Sequence, residues 1–490
     1  MTIALTKKID GRESSQAFGL RWEAVALLSI TLLAGALRFY RLGDWSFWRD
    51  ETYTLQRAVD LANINLNYPL WYMITHWSIT PLHMSEWSAR LPAAIIGTIS
   101  VPIIYFLVRR AQTSLIALLA ALFITISPWH LFWSQNARFY ILLSRLTTAA
   151  LVVFYLGLEE NRLSYLISSL LLVGLGVLTH PTALFVVGVI GAYILALMVA
   201  LRPLPIGLNR RNVEVLAILA AVPCLFLLWR AVKEPASWTH FLAWPTNDLL
   251  WLPSSLVYYL TVPVLVVGVI GAIPLLLRRD RFTILLTLAA MFAPVAVMVI
   301  STFSFTASRH MFVAAVPWLI LASRGTVEII GRLRPHSALL GLGIVLLLAG
   351  EMLSEDYLYY RFQNGNRWDY RSAYDMVRDK AKPGDVVVGT SPEMGEFLLP
   401  ETPVLSMWDV DFDALTAGQR RVWLISDMPM ESVEPRYRNR ITQRALEVGD
   451  FDVHVRARTY TVKVYLFDPS WSPDSRPPDF AFTRPLALPQ

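Results

Sequence analysis

Long apolar windows run through most of this chain, and they restrict what it can fold into more than any other feature. About eleven windows between residues 22 and 353 are long enough to cross a bilayer. They lie near 22–40, 90–108, 113–128, 141–157, 163–179, 182–201, 213–230, 256–277, 282–302, 310–323 and 337–353. Hydrophobic residues make up 55% of the chain and charged residues 16%, which is typical of an α-helical polytopic membrane protein. The third and tenth windows are short, so we expect tilted, broken or shielded helices there.

The distribution of lysine and arginine predicts the orientation of these helices. The short loops on the same side as the N-terminus carry most of the arginines, and the short loops on the opposite side carry few. By the positive-inside rule, the N-terminus is cytoplasmic and everything after about residue 354 is extracytoplasmic. We therefore expect a multi-pass protein of the cell membrane (inner or plasma membrane) whose first apolar run stays in place as an anchor. The net charge of +6 comes largely from the inward loops and implies no nucleic-acid partner.

The chain divides by composition into three predicted domains. Residues 1–353 form a transmembrane domain whose first outer loop, 41–89, contains an acidic motif. Residues 354–468 alternate strand and helix signals, which predicts a small extracytoplasmic α/β domain. Its predicted strands are 385–388, 422–425 and the alternating stretch 453–466, and its predicted helices are 370–380 and 434–448. Residues 469–490 form a proline-rich tail.

The acidic motif is the pair Asp50–Glu51, which lies just beyond the first apolar span in the order Phe-Trp-Arg-Asp-Glu-Thr-Tyr. Apolar residues recur at helical spacing over 51–62 and predict a short amphipathic helix along the membrane surface. A second such helix is predicted over 70–77, with Trp71, Ile74 and Trp77 facing lipid. One interpretation is that Asp50 only caps the first helix. The other is that it is a general base at the mouth of a cavity, and both can hold together.

Three further polar clusters are predicted on the same outer side of the membrane. They contain Arg138 after the third span, His180 after the fifth, and the pair Arg309–His310 at the start of the tenth. Taken singly, each arginine could be an interface residue whose charged end reaches water. Several cationic or titratable groups around one carboxylate pair suit the phosphate of a lipid whose tail lies in the bilayer.

The order of these motifs resembles that of a known family. The stretches that carry the resemblance are Trp48–Glu51, Pro69–Tyr72, Ser88–Pro92, Ser127–Pro128, Ser134–Tyr140, Leu178–His180 and Arg309–Pro317. In this order they resemble the GT-C superfamily of integral membrane glycosyltransferases. Within it, the sequence is most similar to the branch related to protein O-mannosyltransferases and to the enzymes that add aminoarabinose to lipid A. The resemblance covers roughly residues 20–330.

The resemblance implies an inverting glycosyltransferase. Such enzymes move a sugar from a polyprenyl-phosphate donor to an acceptor hydroxyl of a glycan, lipid or protein at the outer face. Asp50 occupies the position of the general base, with Glu51 beside it. Arg138 and Arg309 are then candidates for binding the donor phosphate. Further site candidates are Tyr53, Tyr140, His180 and His310.

One departure from the family leaves a metal cofactor open. Many relatives carry a His-Pro-Pro-Leu-like segment where this chain has Asn67, Tyr68, Pro69 and Leu70. Because this stretch contributes to a metal site in some relatives, the missing histidine argues against dependence on a divalent cation. No metal ligand is therefore assigned.

Two other classes of function stay open: a transporter or flippase of lipid-linked sugars, and a non-catalytic membrane scaffold. Neither explains an Asp-Glu pair with outer arginines as well as a transferase does.

Overall fold

A computed structural model describes residues 2–61, 68–233, 251–332, 337–411, 414–415, 420–456 and 458–469. The chain divides into two compact units. We call the first the helical unit; it comprises Met1–Tyr40, Ile64–Ile74 and Pro92–Asp356. We call the second the α/β unit; it comprises Arg41–Asn63, Thr75–Leu91 and Tyr357–Gln490. Most residues of the first outer loop thus group with the C-terminal region. The domain bounds expected from the sequence stay a prediction.

Helices account for nearly all of the regular structure up to residue 361. In chain order they are α1 (Thr2–Phe39), α2 (Arg49–Val59), α3 (Pro69–Leu82), α4 (Glu86–Ala111), α5 (Ser114–Thr125), α6 (Pro128–Ser134), α7 (Tyr140–Glu159), α8 (Leu163–Thr179), α9 (Phe185–Ala200), α10 (Arg210–Lys233), α11 (Trp251–Leu260), α12 (Val262–Leu277), α13 (Arg281–Ser301), α14 (Ala315–Arg332) and α15 (Ser337–Arg361). Short 3₁₀ segments, Pro181–Leu184 and Ser308–Ala314, precede α9 and α14. The two helices predicted in the first outer loop are present as α2 and α3.

Six helices in the described part of the chain are long and apolar enough to cross a membrane. These spans are Arg21–Phe39, Glu86–Ala111, Tyr140–Glu159, Pro181–Ala200, Arg281–Ser301 and Ser308–Arg332. Two bent pairs, α5 with α6 at 60° and α11 with α12 at 100°, raise the number to eight if each is one span. The expected count of about eleven stays a prediction, because α8 is shorter and parts of the chain lie outside the described residues.

Proline explains the break in the third predicted span. Pro128 is the first residue of α6 and cannot donate a backbone hydrogen bond, while the Ser127 hydroxyl caps the new helix by accepting from His130 N at 3.5 Å. The tenth predicted span is longer than expected, because the 3₁₀ turn Ser308–Ala314 continues directly into α14. Short apolar windows therefore give one broken helix and one extended helix.

The helical unit is held together by close packing of apolar helices. Helices α7, α8, α9 and α13 share one core, in which Phe154, Tyr193 and Leu285 are buried. Helices α12 and α14 approach backbone to backbone, because a Cβ at Gly271 would overlap the Cα of Gly325. Small residues at such crossings give the van der Waals contact that drives helix association where lipid removes the hydrophobic effect.

The α/β unit contains a five-stranded sheet of order β2-β1-β3-β7-β4 and a separate hairpin β5-β6. The strands are β1 (Val386–Gly389), β2 (Val404–Ser406), β3 (Val422–Ser426), β4 (Leu446–Asp450), β5 (Val453–Val455), β6 (Arg458–Tyr460) and β7 (Lys463–Phe467). Strand β1 is parallel to β2 and β3, and β7 is antiparallel to β3 and β4. Three helices accompany the sheet: α16 (Tyr370–Lys380), α17 (Gly395–Leu398) and α18 (Pro435–Arg444).

The predicted small α/β region is thus confirmed, with two local corrections. Helix α18 ends at Arg444 rather than continuing to 448, because residues 446–450 pair with β7 as strand β4. The alternating stretch 453–466 is three strands rather than one, because β5 and β6 turn back on each other before β7 begins. The proline-rich tail lies outside the described residues beyond 469.

Candidate functional site

Helix α2 places the two adjacent carboxylates of the acidic motif in different environments. Its N-cap is Trp48, so the interpretation of Asp50 as the N-cap is wrong; Asp50 lies in the first turn instead. A negative charge there interacts favourably with the exposed N–H groups and the dipole of the helix. The Asp50 side chain is half-buried, whereas Glu51 is fully buried. Of the two acidic residues, Asp50 is the one with exposed surface, although its Oδ2 is itself buried.

Glu51 is paired with a buried arginine from α4. Arg90 Nε donates to Glu51 Oε1 at 2.8 Å, and Arg90 Nη2 donates to Oε2 at 2.7 Å. Both side chains have 0% exposure. The backbone N–H of Trp48 also donates to Oε2 at 3.4 Å, which ties the start of α2 to the same carboxylate. This two-point geometry is the strongest form of an arginine–carboxylate pair.

The other donors of Arg90 hold the turn that leads into α2. Arg90 Nη1 donates to the carbonyls of Leu42 and Trp45 at 3.2 and 2.9 Å, and Nη2 donates to the Ser46 carbonyl at 3.0 Å. A buried charge with every donor satisfied fixes the surrounding backbone, although the desolvation of both ions offsets much of its stabilising effect. Glu51 and Arg90 therefore hold the helix that presents Asp50.

A second set of contacts ties α2 to the segment around α17. Arg49 Nε lies 2.9 Å from Glu393 Oε1 and donates to Tyr53 Oη at 2.8 Å. The Tyr53 hydroxyl donates to Glu393 Oε1 at 3.3 Å, and Gln56 Nε2 donates to Glu396 Oε2 at 3.0 Å. We call this set the Arg49–Glu393 seam. It places the site candidate Tyr53 on the exposed side of α2, beside the Glu393 carboxylate.

In the helical unit, the other predicted site residues form a stack of rings. Phe139 and Tyr68 stack on the His180 ring at centroid distances of 4.6 and 5.3 Å. The rings of Tyr140 and His310 lie 5.8 Å from it. The structure thus brings together Tyr140, His180 and His310, which the sequence suggested only by their shared side of the membrane. Tyr68, the residue that departs from the family pattern, is part of the same stack.

Arginines border this stack. The guanidinium of Arg138 lies 4.7 Å from the Phe139 ring centroid, and that of Arg309 lies 5.9 Å from the Phe305 ring. Both arginines are half-buried. Their charges act on His180, which is also buried, and burial together with the neighbouring His310, Arg138 and Arg309 holds the pKa of His180 well below its usual value. Its Nδ1 accepts from Thr182 N at 3.2 Å, so His180 is a neutral, oriented ring.

The expectation that Trp71 faces lipid is wrong. Trp71 is fully buried, and its indole N–H donates to the Ala137 carbonyl at 3.2 Å. Trp77, on the same helix α3, is 63% exposed as expected. The helical period identifies an apolar face, but it does not distinguish lipid from another helix. Trp71 instead fixes the backbone immediately before Arg138.

In the part of the chain that the structure describes, no group of three or more His, Cys, Asp or Glu side chains is placed to hold a metal ion. Asn67, which stands where many relatives have the histidine of the His-Pro-Pro-Leu-like segment, lies outside the described residues. The expectation about a divalent cation stays a prediction.

Sequence reasoning missed the arginines inside the apolar spans. Arg38, Arg90 and Arg145 are at most 6% exposed, and Arg367 in the α/β unit is equally buried. A signal was present for the first three, because charged residues within or at the edge of a span are rare and usually functional or paired. Their partners were not predictable, since Glu51 and Arg90 are far apart in the chain.

Comparisons with known proteins agree with this architecture. Residues 69–202 match the family model described as dolichyl-phosphate-mannose-protein mannosyltransferase. No curated protein sequence matches the chain. Among solved structures, ArnT from Cupriavidus metallidurans bound to undecaprenyl phosphate matches with a TM-score of 0.53 at 14% identity, covering 90% of this chain and 97% of that chain.

A second solved structure that matches is an archaeal oligosaccharyltransferase. The archaeal oligosaccharyltransferase AglB from Archaeoglobus fulgidus, in complex with an inhibitory peptide and a dolichol-phosphate, matches with a TM-score of 0.54 at 11% identity. The match covers 91% of this chain and 74% of that chain. At these identities the structures establish the fold, and the family model adds the activity class. Together they indicate a glycosyltransferase-type membrane protein with the fold of the GT-C superfamily, as the sequence resemblance implied.

Proposed function

We propose that this protein transfers a sugar from a polyprenyl-phosphate donor to an acceptor hydroxyl at the outer face of the membrane, with inversion at the anomeric carbon. The observation that carries the proposal is the contrast within the acidic motif. Asp50 is half-buried in the first turn of α2, and its neighbour Glu51 is fully buried in a pair with Arg90. The lipid phosphates bound to ArnT and AglB support a lipid-linked donor.

In the proposed reaction Asp50 acts as the general base. Its carboxylate takes the proton of the acceptor hydroxyl as that oxygen forms a bond to the anomeric carbon. The bond from the anomeric carbon to the phosphate oxygen breaks on the opposite side, and the electron pair leaves with the polyprenyl phosphate. Base catalysis of this kind contributes about 10²–10⁴-fold to a rate.

Arg138 and Arg309 are proposed to bind the donor phosphate. Arginine suits this role because its planar fork matches phosphate oxygens and stays charged. Negative charge grows on the phosphate as the sugar departs, so a guanidinium there stabilises the transition state more than the ground state. The ring stack around His180, which includes Tyr140 and His310, would shape the wall beside them. Because His180 is neutral, the positive charge at this site would come from the two arginines.

Glu51 is proposed to position Asp50 and not to contact substrate. Both of its carboxylate oxygens accept hydrogen bonds from Arg90, and Oε2 accepts a further one from the backbone of Trp48. A carboxylate so occupied is a poor base, because each hydrogen bond stabilises its ionised form. Tyr53 is proposed to lie at the acceptor side of α2. The predicted orientation, with the N-terminus cytoplasmic and the α/β unit extracytoplasmic, belongs to the same proposal.

The test is transfer from a panel of radiolabelled polyprenyl-phosphate sugars in reconstituted vesicles. We expect transfer from one donor to an added glycan, lipid or peptide acceptor, and loss of that transfer in Asp50→Asn. A parallel assay follows movement of the labelled donor between leaflets. Movement between leaflets without transfer from any donor would overturn the proposal in favour of a flippase.

A further inference from the structure

A cluster of buried donors lies within the helical unit and includes none of the residues assigned above. Arg145 on α7 is 6% exposed, Arg38 near the end of α1 is 0% exposed, and His130 on α6 is 0% exposed. We call these three side chains the Arg145 cluster. A charged group buried in a membrane protein is rare and usually serves a ligand, an ion path or a partner.

Helix α4 brings the two guanidinium groups of the cluster side by side. Arg145 Nε donates to Ser100 Oγ at 2.8 Å. One turn earlier, a Cβ added at Gly97 would overlap the Ser134 side chain at its Oγ and would lie 3.1 Å from Arg38 Nε, so Arg38 passes close to this position of α4. Residues three apart on a helix are neighbours on its surface. Arg38 and Arg145 therefore lie against adjacent positions of one helix face.

Arg145 and His130 have buried donors without an acceptor in the described part of the chain. Arg38 Nη2 donates to His130 Nδ1 at 2.9 Å, which places the ring proton of the neutral histidine on Nε2. Within the described residues, His130 Nε2 and both Nη1 and Nη2 of Arg145 are buried without a hydrogen-bond partner. Unsatisfied buried donors are unfavourable, and a group of them without an acceptor needs an anion.

The charges of the cluster lead to the same conclusion. Arg38 and Arg145 both act electrostatically on His130. One buried carboxylate, Asp356, lies within electrostatic range of Arg38, and it makes no hydrogen bond or ion pair in the described part of the chain. Arg145 has no carboxylate partner within the described residues, so its positive charge is uncompensated there in a low-dielectric setting.

We propose that Arg145, Arg38 and His130 form a buried site for a phosphate group, distinct from the one assigned to Arg138 and Arg309. Two adjacent guanidinium groups and an imidazole N–H match the several oxygens of a phosphate better than they match a single-atom anion. The two sets share no residue: Arg138 lies beside the Phe139 ring, whereas Arg145 donates to Ser100 Oγ. The phosphate can be free or attached to a lipid. This inference does not depend on sugar transfer.

Thermal unfolding of the full-length protein in detergent tests the proposal. A parent protein, Arg145→Met and the control Arg210→Met, whose side chain is 92% exposed, are compared at constant ionic strength. Inorganic phosphate and farnesyl phosphate are the two probes. All three proteins also carry Arg138→Gln, so that phosphate binding at the proposed donor site does not obscure the result. In this background each probe that binds should raise the midpoint of the parent protein and of Arg210→Met with increasing concentration, and leave Arg145→Met unchanged. If inorganic phosphate raises the midpoint, free phosphate is enough to occupy the site. If only farnesyl phosphate raises it, the site requires a phosphate attached to a lipid.

Two further measurements separate this site from a structural role and from the other arginines. Without phosphate, Arg145→Met should be at least as stable as wild type, because it removes an uncompensated buried charge. The response of wild type to phosphate should persist in Arg138→Gln. If Arg145→Met does not fold, Arg145→Lys replaces it, and the phosphate concentration for half of the shift should rise several-fold. No shift in the parent protein, or an equal shift in the Arg145 variants, would overturn the proposal.

Discussion

Arg90 in the α/β unit and Arg145 in the helical unit are both buried arginines, but their surroundings differ. Arg90 donates to both oxygens of Glu51 and to three backbone carbonyls. Arg145 donates to Ser100 Oγ, and its terminal nitrogens have no partner within the described residues. Arg90 fixes the backbone turn that leads into α2, whereas Arg145 has N–H donors that no acceptor in the described chain binds. A buried charge with a full set of partners indicates structure, and one without them indicates a ligand.

The same substitution at these two positions should have opposite consequences, and this is the largest effect we expect. Arg90→Met removes both short hydrogen bonds from the Arg90 guanidinium to the buried Glu51 and leaves Arg367 Nε at 3.8 Å from Oε2, which costs up to about 3–5 kcal/mol of folding free energy. Arg145→Met removes a charge that has no carboxylate partner in the described chain, so in phosphate-free buffer it should not lower stability. Thermal midpoints in detergent, with the yield of folded protein, measure both variants.

A double variant provides the control for Arg90. If Arg90→Met loses stability because the buried Glu51 charge has lost its hydrogen bonds from Arg90, adding Glu51→Gln should recover part of that stability, about 0.5–3 kcal/mol. Equal thermal midpoints for Arg90→Met and Arg145→Met would contradict the distinction between paired and unpaired buried arginines.

The second prediction concerns protonation beside the arginines of the helical unit. The pKa of His180 is held low by burial and by its cationic neighbours, so the unfolded chain binds a proton at this position more readily than the folded chain. Stability should therefore be full above pH ~6.5 and fall as the pH drops below it, by up to about 1.4 kcal/mol per pH unit.

Unfolding midpoints of wild type and His180→Gln across this pH range give the measurement. The variant has no titrating group at position 180, so its midpoint should fall less steeply with acid. Parallel pH curves for the two proteins would contradict this prediction, because they would show that His180 binds its proton equally well in the folded and unfolded chains.

The smallest effect is expected at the exposed Arg49–Glu393 seam. Arg49 is 54% exposed, and ion pairs in such positions contribute about 0.2–1 kcal/mol. Glu393→Gln should therefore shift the thermal midpoint slightly, and added salt should reduce the difference from wild type. Glu401→Gln, on an exposed residue outside the seam, serves as the matched control. A loss as large as that of Arg90→Met would show that exposure is a poor guide to the role of these pairs.

Local signals were sufficient to predict much of the fold. The apolar windows identified the membrane helices, and helical spacing after the acidic motif identified α2 with Asp50 near its start. Strand β3 and helix α16 were also predicted within a residue or two. Strand β3 is a short apolar run that is buried throughout, and the buried residues of α16 recur at helical spacing.

Features that depend on contacts between distant segments could not be predicted. The partner of Glu51 is a residue of α4, and nothing local identifies it. Trp71 was assigned to lipid because an apolar face is the same in sequence whether lipid or protein covers it. The ring stack around His180 joins Tyr68, Phe139 and His310 from three separate segments. The motif order could place these residues on one side of the membrane but not in contact.

The most direct test of the proposed function is the rate of sugar transfer by Asp50→Asn beside Asp44→Asn. Asp44 lies in the same loop and pairs with Arg41 at the surface, so it controls for loss of a carboxylate as such. We expect Asp50→Asn to lose about 10²–10⁴-fold in transfer rate while it stays folded and still binds the lipid-linked donor. Asp44→Asn should transfer at nearly the wild-type rate. Undiminished transfer by Asp50→Asn would contradict the assignment of Asp50 as the base.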